Sequence, residues 1–168
     1  MPETNIIVTN TAPLISIVAA TGDLRVLQTL YTQVLVPFEV GQEILAGGTS
    51  GFAVNEFEDA NWLEKMPTPL NHISPFLLNS LDLGEASVIQ LAINENIPTV
   101  CIDEAVGRRV ARLSGLSLTG TIGILLRAKQ EGYSINIKEA IHRMIVRGIR
   151  LSETLINFAL QQAGEIDV

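Results

Sequence analysis

The feature that most constrains the fold is a repeated alternation between short, uninterrupted apolar runs and longer segments with helical spacing. The runs are IIV at 6–8, QVLVP at 33–37, IPTVCID at 97–103 and LSLTG at 116–120. They are short and lack the polar alternation of a half-exposed strand, so they are typical of strands in a parallel sheet that is covered on both faces. The alternation of strands with helices predicts βαβ units and an α/β fold with a mostly parallel sheet.

The segments between these runs carry helix start and stop signals. Pro13 and Pro37 suit a first helical turn, because proline lacks the N–H that would be unpaired there, and Gly115 and Gly132 end two segments. Helices are predicted at 13–20, 23–31, 37–45, 54–62, 81–96, 104–115, 121–132, 138–147 and 153–163, with a flexible break at 46–51, an edge strand at 62–66 and a loop at 67–75.

Composition narrows the class of protein. The chain has 168 residues, of which 47% are hydrophobic and 17% charged, so a sizeable core is available and a disordered chain is excluded. We expect one domain over residues 1–168, whose last helices, at about 138–163, pack on it or form an oligomer interface. A single cysteine excludes an internal disulfide, and neither a signal peptide nor a membrane span is apparent. These features predict a cytoplasmic protein without membrane association.

Charge is unevenly distributed along the chain. The net charge is −7, but nine of the eleven basic residues and only three acids lie between Glu104 and Arg150, which makes that segment +6 and the remainder −13. The asymmetry permits an anionic partner, although solvated helix faces explain it equally well. Arg108 and Arg112 stand one helical turn apart near a strand end, where they would suit phosphate contacts.

Polar side chains follow the predicted strands or lie on the adjoining helices. They are Asn10 and Thr11, Glu39 and Glu43, Asp82 and Glu85, Asp103 and Glu104, and Thr119 and Thr121. Ligands of open parallel sheets bind outside the carboxyl ends of the strands. Converging carboxylates repel one another unless a cation lies between them, and Mg²⁺ and Mn²⁺ prefer oxygen ligands. The pattern predicts a divalent-metal site and metal-assisted phosphodiester hydrolysis.

Each of these residues also has a purely structural interpretation. Asp82 and Glu85 have the spacing of a capping box, Asp103 could cap the helix that follows it, and Asn10 could be a simple N-cap. Glu39 could be a solvated acid in a first helical turn. Taken singly, none of these positions is specific.

Five segments resemble an uncharacterised prokaryotic branch of the PIN-domain proteins, a domain of unknown function with predicted nucleic-acid binding. They read VTNTAPLISI, LVPFEVGQEI, LDLGEASVIQLAI, VCIDEAVGRRVARLSGLSLTGTIGILLRAKQEG and RLSETLI, and they occur in order over nearly the whole chain. The resemblance implies a three-layer α/β/α sandwich with a central parallel sheet. It also implies that four acids bind Mg²⁺ or Mn²⁺ and that the substrate is RNA, which is cleaved. Many members are toxins of toxin–antitoxin pairs, so an antitoxin protein is an implied partner, and a homodimer is a further expectation.

The family's acidic positions carry over onto residues of this chain. The first falls on Asn10 with Thr11 beside it, the second on Glu43, the third on Glu85 with Asp82 nearby, and the fourth on Asp103 with Glu104 beside it. The resemblance therefore implies Glu43, Glu85 and Asp103 as catalytic acids. It implies Asn10 as a further metal ligand, with Asp82 and Glu104 as additional candidates.

Three hypotheses about function remain open. In the first, the chain is a PIN-type ribonuclease in which Thr11 and Thr121 position water or phosphate and Arg108 and Arg112 bind the RNA backbone. In the second, Asn10 stands where the family has an acid, brings no charge, and leaves a catalytically impaired module that binds nucleic acid or protein. The third is a phosphoacceptor receiver domain. Such a domain needs an acidic pair after the first strand and a lysine after the last, whereas this chain has Asn10-Thr11 and Thr119-Gly120-Thr121 there.

Overall fold

A five-stranded, all-parallel sheet forms the centre of the protein. The computed structural model describes residues 5–47 and 51–165. The strands are β1 (Ile6–Thr9), β2 (Gln33–Val36), β3 (Glu64–Lys65), β4 (Thr99–Cys101) and β5 (Ser117–Thr119). They pair in the order β3-β2-β1-β4-β5.

Helices flank this sheet and give the three-layer α/β/α sandwich that the sequence predicted. They are α1 (Thr11–Thr21), α2 (Arg25–Leu30), α3 (Phe38–Leu45), α4 (Val54–Asp59), α5 (Pro75–Ser80), α6 (Leu83–Asn94), α7 (Ala105–Leu113), α8 (Thr121–Gln130), α9 (Ile137–Val146) and α10 (Glu153–Gln162). Within residues 5–47 and 51–165, no helix is long and apolar enough to cross a membrane.

The two strands that matter most for the site are neighbours at the middle of the sheet. β1 pairs with β2 on one side and with β4 on the other, and Thr9 lies opposite Cys101 in the register. The strand order reverses between β1 and β4, which is the switch point where open parallel sheets bind ligands. Residues that follow these strands, Asn10 and Asp103, therefore lie at the same end of the sheet.

Burial explains the uninterrupted apolar runs. Ile7, Val8, Val34, Val36 and Val100 are all buried, because helices cover both faces of the sheet. A strand with side chains of alternating polarity would place polar groups against one of these helix layers. The prediction of a covered parallel sheet is confirmed.

The C-terminal helices build a second, smaller core. Ile137, Ile141 and Met144 of α9 and Ala159 of α10 are buried in a cluster that also includes Leu125 of α8. α9 packs against α1, and α10 packs against α8 and α9. This second core forms one wall of a cavity that lies at the carboxyl ends of β4 and β5.

The structure departs from the predicted elements most clearly at α4, α5 and α6, and α4 ends at Asp59 rather than at Trp62. α5 was not predicted, because its six residues follow the proline-rich loop and are too few to display a helical period; Ser74 precedes it and Pro75 occupies its first turn. α6 begins at Leu83 rather than at Leu81, since Asp82 caps it. Half of the predicted break at 46–51, residues 48–50, lies outside the described residues.

Candidate metal centre

Asn10 lies directly after β1 and carries one of the two buried side-chain oxygens that lack a hydrogen-bond partner among residues 5–47 and 51–165. Its backbone N–H donates to the Cys101 carbonyl at 3.1 Å, which ties it to the end of β4. The residue is only 6% exposed, and Oδ1 is buried without a hydrogen-bond partner. Asn10 occupies the N-cap position of α1 but makes no capping bond with its side chain, so the capping interpretation is wrong. An orphaned buried oxygen is costly and calls for another partner.

Glu43 is held at the same end of the sheet by Thr11. The Thr11 hydroxyl donates to Glu43 Oε1 at 2.6 Å, which links the first residue of α1 to the middle of α3. Glu43 is exposed while Thr11 is buried. A hydrogen bond to a carboxylate from a buried hydroxyl fixes the direction in which that carboxylate points.

Three side-chain oxygens converge on Gly84, the second residue of α6. A β-carbon placed on Gly84 would lie 2.8 Å from Glu43 Oε1, 3.3 Å from Asn10 Oδ1 and 3.6 Å from Asp82 Oδ1. These oxygens come from α3, from the end of β1 and from the residue before α6. The absence of a side chain at Gly84 is what lets them approach one point.

Glu85 lies beside this point and is buried, with 6% of its surface exposed. Burial raises the pKa of its carboxyl to about 7, and the negative charge of Asp82 acts in the same direction. Glu104 and Glu43 add further repulsion. Gly107 of α7 leaves room for it, since a β-carbon there would lie 3.0 Å from Glu85 Oε2. Four carboxylates therefore interact at one end of the sheet, and a bound cation would relieve their repulsion.

Asp82 has a structural role as well. Its Oδ1 accepts the Glu85 N–H at 2.8 Å, so the capping half of the predicted box is present. No reciprocal bond from the Glu85 side chain to the Asp82 N–H is found among the described residues. The carboxyl group of Glu85 therefore has no capping role and interacts with the other acidic side chains at this end of the sheet.

Asp103 lies across the switch point, on the side of β5. The Thr121 N–H donates to Asp103 Oδ1 at 2.8 Å, and the Thr121 hydroxyl donates to Oδ2 at 2.7 Å. Asp103 therefore caps α8 and not α7, so the expected local cap is wrong: the side chain turns toward the neighbouring strand. Gly120 permits this, because a β-carbon there would lie 2.8 Å from Asp103 Oδ1.

The two arginines predicted to contact phosphate differ in their surroundings. Arg108 Nη1 donates to the carbonyl of Ile102 at 2.7 Å and to that of Thr119 at 3.3 Å, so one edge of its guanidinium clamps the ends of β4 and β5 together. Arg112, one turn further along α7, is exposed. Glu104 is also exposed, at the N-cap of α7, and makes no capping bond with its side chain.

Glu39 is not the solvated acid that its position suggested. Its Oε2 accepts the Leu70 N–H at 3.0 Å, while Oε1 is buried without a partner. The carboxylate therefore fastens the loop after β3 to α3. Spacing within one helix could not reveal this contact, because Leu70 is 31 residues away.

The candidate ligands do not form one compact cluster. Among residues 5–47 and 51–165, no group of three or more His, Cys, Asp or Glu side chains is close enough together to hold a metal ion. Asn10, Glu43 and Asp82 converge at Gly84 and interact with Glu85, whereas Asp103 is engaged by Thr121. The donor set nonetheless suits a hard cation, since every member offers an oxygen and Asn10 Oδ1 has no other partner.

Sequence reasoning missed the glycines that shape this region. Gly84 and Gly107 lie inside helices, where alanine would be about 1 kcal/mol more favourable. A glycine near the start of a strong helix next to acidic residues is the signal that could have indicated a close approach of oxygens. The carboxylate-holding bonds of Thr11 and Thr121 have no comparable sequence signal, because they join distant segments.

Comparison with known proteins identifies the family. A family model described as a PIN domain matches residues 6–165, which is nearly the whole chain. No curated protein and no solved structure gives a match. The family match agrees with the five-stranded, all-parallel sheet flanked by helices. The chain therefore belongs to the PIN-domain family.

Proposed function

We propose that the chain is a divalent-metal-dependent ribonuclease of the PIN type. The observation that carries the proposal is the convergence at Gly84, where the unpartnered Asn10 Oδ1 and oxygens of Glu43 and Asp82 surround one point at the switch point of the sheet. A family match to PIN domains supports a nuclease-like fold. Oxygen donors from an amide and several carboxylates are the ligand set that Mg²⁺ or Mn²⁺ would take.

In this proposal Glu43, Glu85 and Asp103 are the catalytic acids and Asn10 completes the ligand set. Asp82 and Glu104 are additional candidates. The ion would supply a water of lowered pKa and would stabilise the leaving oxygen of a phosphodiester. Thr11 and Thr121 hold their carboxylates in direction, as supporting residues around metal sites commonly do.

The substrate contacts follow from charge. A chain with a net charge of −7 and several acids at the site would repel RNA without a cation, so metal and RNA binding should be coupled. Arg112 is exposed one turn from the strand ends and is proposed to contact the RNA backbone. Arg108 would do so only through the edge of its guanidinium that does not clamp the strand carbonyls.

The test is cleavage of single-stranded RNA by the purified protein in Mn²⁺. Activity should disappear in EDTA and fall at least 100-fold in Asp103→Asn, which keeps the shape of the side chain and an oxygen for the Thr121 N–H. Circular dichroism should show that the variant is folded. Cleavage that persists in EDTA, or an Asp103→Asn variant as active as the parent, would remove the proposal.

A second candidate function is a catalytically impaired module that binds nucleic acid or protein. Two observations favour it: Asn10 provides an amide in place of a charged ligand, and both oxygens of Asp103 are already engaged by Thr121. Calorimetric titration with Mn²⁺ separates the two functions. The ribonuclease should bind Mn²⁺ in the micromolar to millimolar range, and the impaired module should give no measurable heat.

The family also supports a finer biological role. We propose a cytoplasmic toxin of a toxin–antitoxin pair, with an antitoxin protein as its partner and a homodimer as its assembly. Growth arrest on expression, relieved by co-expression of the product of the adjacent reading frame, is the expected result. If an active ribonuclease is expressed without growth arrest, the toxin role is wrong and the catalytic proposal is unaffected.

A further inference from the structure

A cavity of about 790 Å³ opens beside the candidate metal centre. At one end it is lined by Asp103, Glu104 and Thr121, which follow β4 and β5. Its other walls come from the C-terminal part of the chain, including Arg150 and Phe158. The cavity therefore joins Asp103, one of the proposed catalytic acids, to the second core.

Phe158 is the distinctive residue of this cavity. Phe158 is 50% exposed, whereas Phe57 and Tyr31 are only 3% and 8% exposed. Aromatic rings carry a large apolar surface that folding normally buries, so a half-exposed ring in a cavity is available to a ligand. Phe76 is exposed to a similar degree, 55%, but does not line the cavity.

The remaining walls fit a base and a phosphate together. Leu155 and Met144 line the same cavity as apolar side chains, and Arg150 lines it as an exposed cation. No carboxylate pairs with Arg150 in the described part of the chain. Stacking on an aromatic ring beside a basic group is how proteins hold unpaired nucleotides, because every base presents a π-face.

We propose that this cavity binds one unpaired nucleotide of the RNA strand adjacent to the cleaved phosphate, with its base stacked on Phe158 and its phosphate near Arg150. The volume lies within the range of pockets that bury small organic ligands, about 300–1,000 Å³. This inference rests on the proposed function, since it names a subsite of the same substrate. It predicts that the chain prefers single-stranded over double-stranded RNA, because a paired base could not enter.

The test measures binding separately from cleavage. Fluorescence anisotropy is followed with a labelled oligouridylate hexamer and with an abasic backbone of the same length, in Ca²⁺, with probe integrity checked on a gel. The wild-type protein should bind the intact probe more tightly than the abasic one. Phe158→Ala should weaken binding of the intact probe about 5- to 30-fold and leave the abasic probe unchanged. Phe158→Tyr should restore binding, and Phe76→Ala is the matched control that should bind as the wild type does.

The outcomes separate this inference from the proposed function. If the wild type prefers the intact probe but never cuts RNA in Mn²⁺, the ribonuclease fails, and the cavity stands as a nucleotide-binding site beside Asp103 without cleavage. If it cuts and Phe158→Ala binds as tightly as the parent, only the subsite fails. Absence of hexamer binding, an equal loss in Phe76→Ala, or a shift from dimer to monomer in Phe158→Ala by light scattering would each overturn the subsite, the last by assigning this surface to a second copy of the chain.

Discussion

Thr11 and Glu43 are joined by a hydrogen bond of 2.6 Å although they are 32 positions apart in the chain. The bond locks the start of α1 to α3 at the point where oxygens converge on Gly84. A threonine hydroxyl thus decides where a carboxylate points, and this relationship can be tested without reference to RNA.

Replacing Thr11 by valine should weaken metal binding while the fold is retained. Valine keeps the shape of threonine but cannot donate to Glu43, so the carboxylate loses its direction. We expect the Kd for Mn²⁺ to rise about 10-fold or more, at the lower end of what supporting residues contribute, measured by calorimetry. Thr11→Ser is the control: it retains the hydroxyl and should bind Mn²⁺ nearly as tightly as the parent. Equal loss in both variants would contradict a role for the hydrogen bond.

A methyl group at Gly84 should displace the oxygens around it. Gly84→Ala places a β-carbon 2.8 Å from Glu43 Oε1, closer than such atoms approach in folded proteins. Helix propensity favours alanine by about 1 kcal/mol, so thermal unfolding should show a stable protein, whereas calorimetry should show Mn²⁺ affinity reduced about 10-fold. Gly41→Ala in α3 is the matched control, since its new β-carbon would only touch Phe57 at 3.6 Å. Unchanged Mn²⁺ binding in Gly84→Ala would contradict the convergence.

Glu85→Gln should stabilise the metal-free protein at alkaline pH. The pKa of Glu85 is raised from an ordinary 4.5 to about 7, so the folded state holds this proton more tightly than the unfolded state does. The stabilisation that this proton gives the wild-type fold is therefore lost as pH rises from about 4.5 through 7. At pH 8 the variant should be more stable by about 1–3 kcal/mol, and at pH 4.5 the two should agree, as measured by urea unfolding.

Mn²⁺ provides the complement to this measurement. It should raise the melting temperature of the wild type at pH 8, because a cation between the carboxylates replaces the proton. It should raise that of Glu85→Gln much less, since the glutamine brings no charge to the site. Equal stabilisation of both proteins by Mn²⁺ would show that Glu85 is not a ligand.

Glu165 should stabilise the docking of the C-terminal helices. Although burial alone would raise its pKa, hydrogen bonds from Lys129 and from the N–H groups of Lys138 and Ile137 lower the pKa below its ordinary value. Glu165→Gln should reduce the free energy of unfolding at pH 7 by about 1–2 kcal/mol, and Glu153→Gln, an exposed control, by far less. The contribution is present above the unfolded pKa and disappears as pH falls through the folded pKa, so the two proteins should converge in acid.

The sheet and most helices could be predicted because each depends on local patterns. The apolar runs at β1, β2, β4 and β5 reflect burial on both faces, and proline and glycine mark helix ends wherever they occur. Among the helices of residues 5–47 and 51–165, only α5 was missed, since six residues after a proline-rich loop carry too little periodicity. The position of Asn10 and Asp103 at one end of the sheet follows from the same logic, because residues after neighbouring parallel strands must meet there.

The detailed environment of the site could not be predicted, because it depends on contacts between distant segments. The sequence offered Asp103 as a cap of the next helix, and the structure shows that it accepts both donors of Thr121, at the start of α8. Its predicted role as a metal ligand stays a prediction. Arg108 was expected to face phosphate, and it clamps two backbone carbonyls. No spacing within one element encodes which carbonyl or carboxylate a neighbouring strand will present.

The central location of β1 and β4 determines which part of the protein can loosen without harm. β3, a two-residue strand, lies at the rim of the sheet and contributes none of the proposed ligands. Rim strands are the first to open in native fluctuations, whereas inner strands open only when the whole molecule does. The amide hydrogens of Val8 and Val100 should therefore exchange with solvent only as fast as global unfolding allows. The geometry around Asn10 should accordingly persist until the whole protein unfolds.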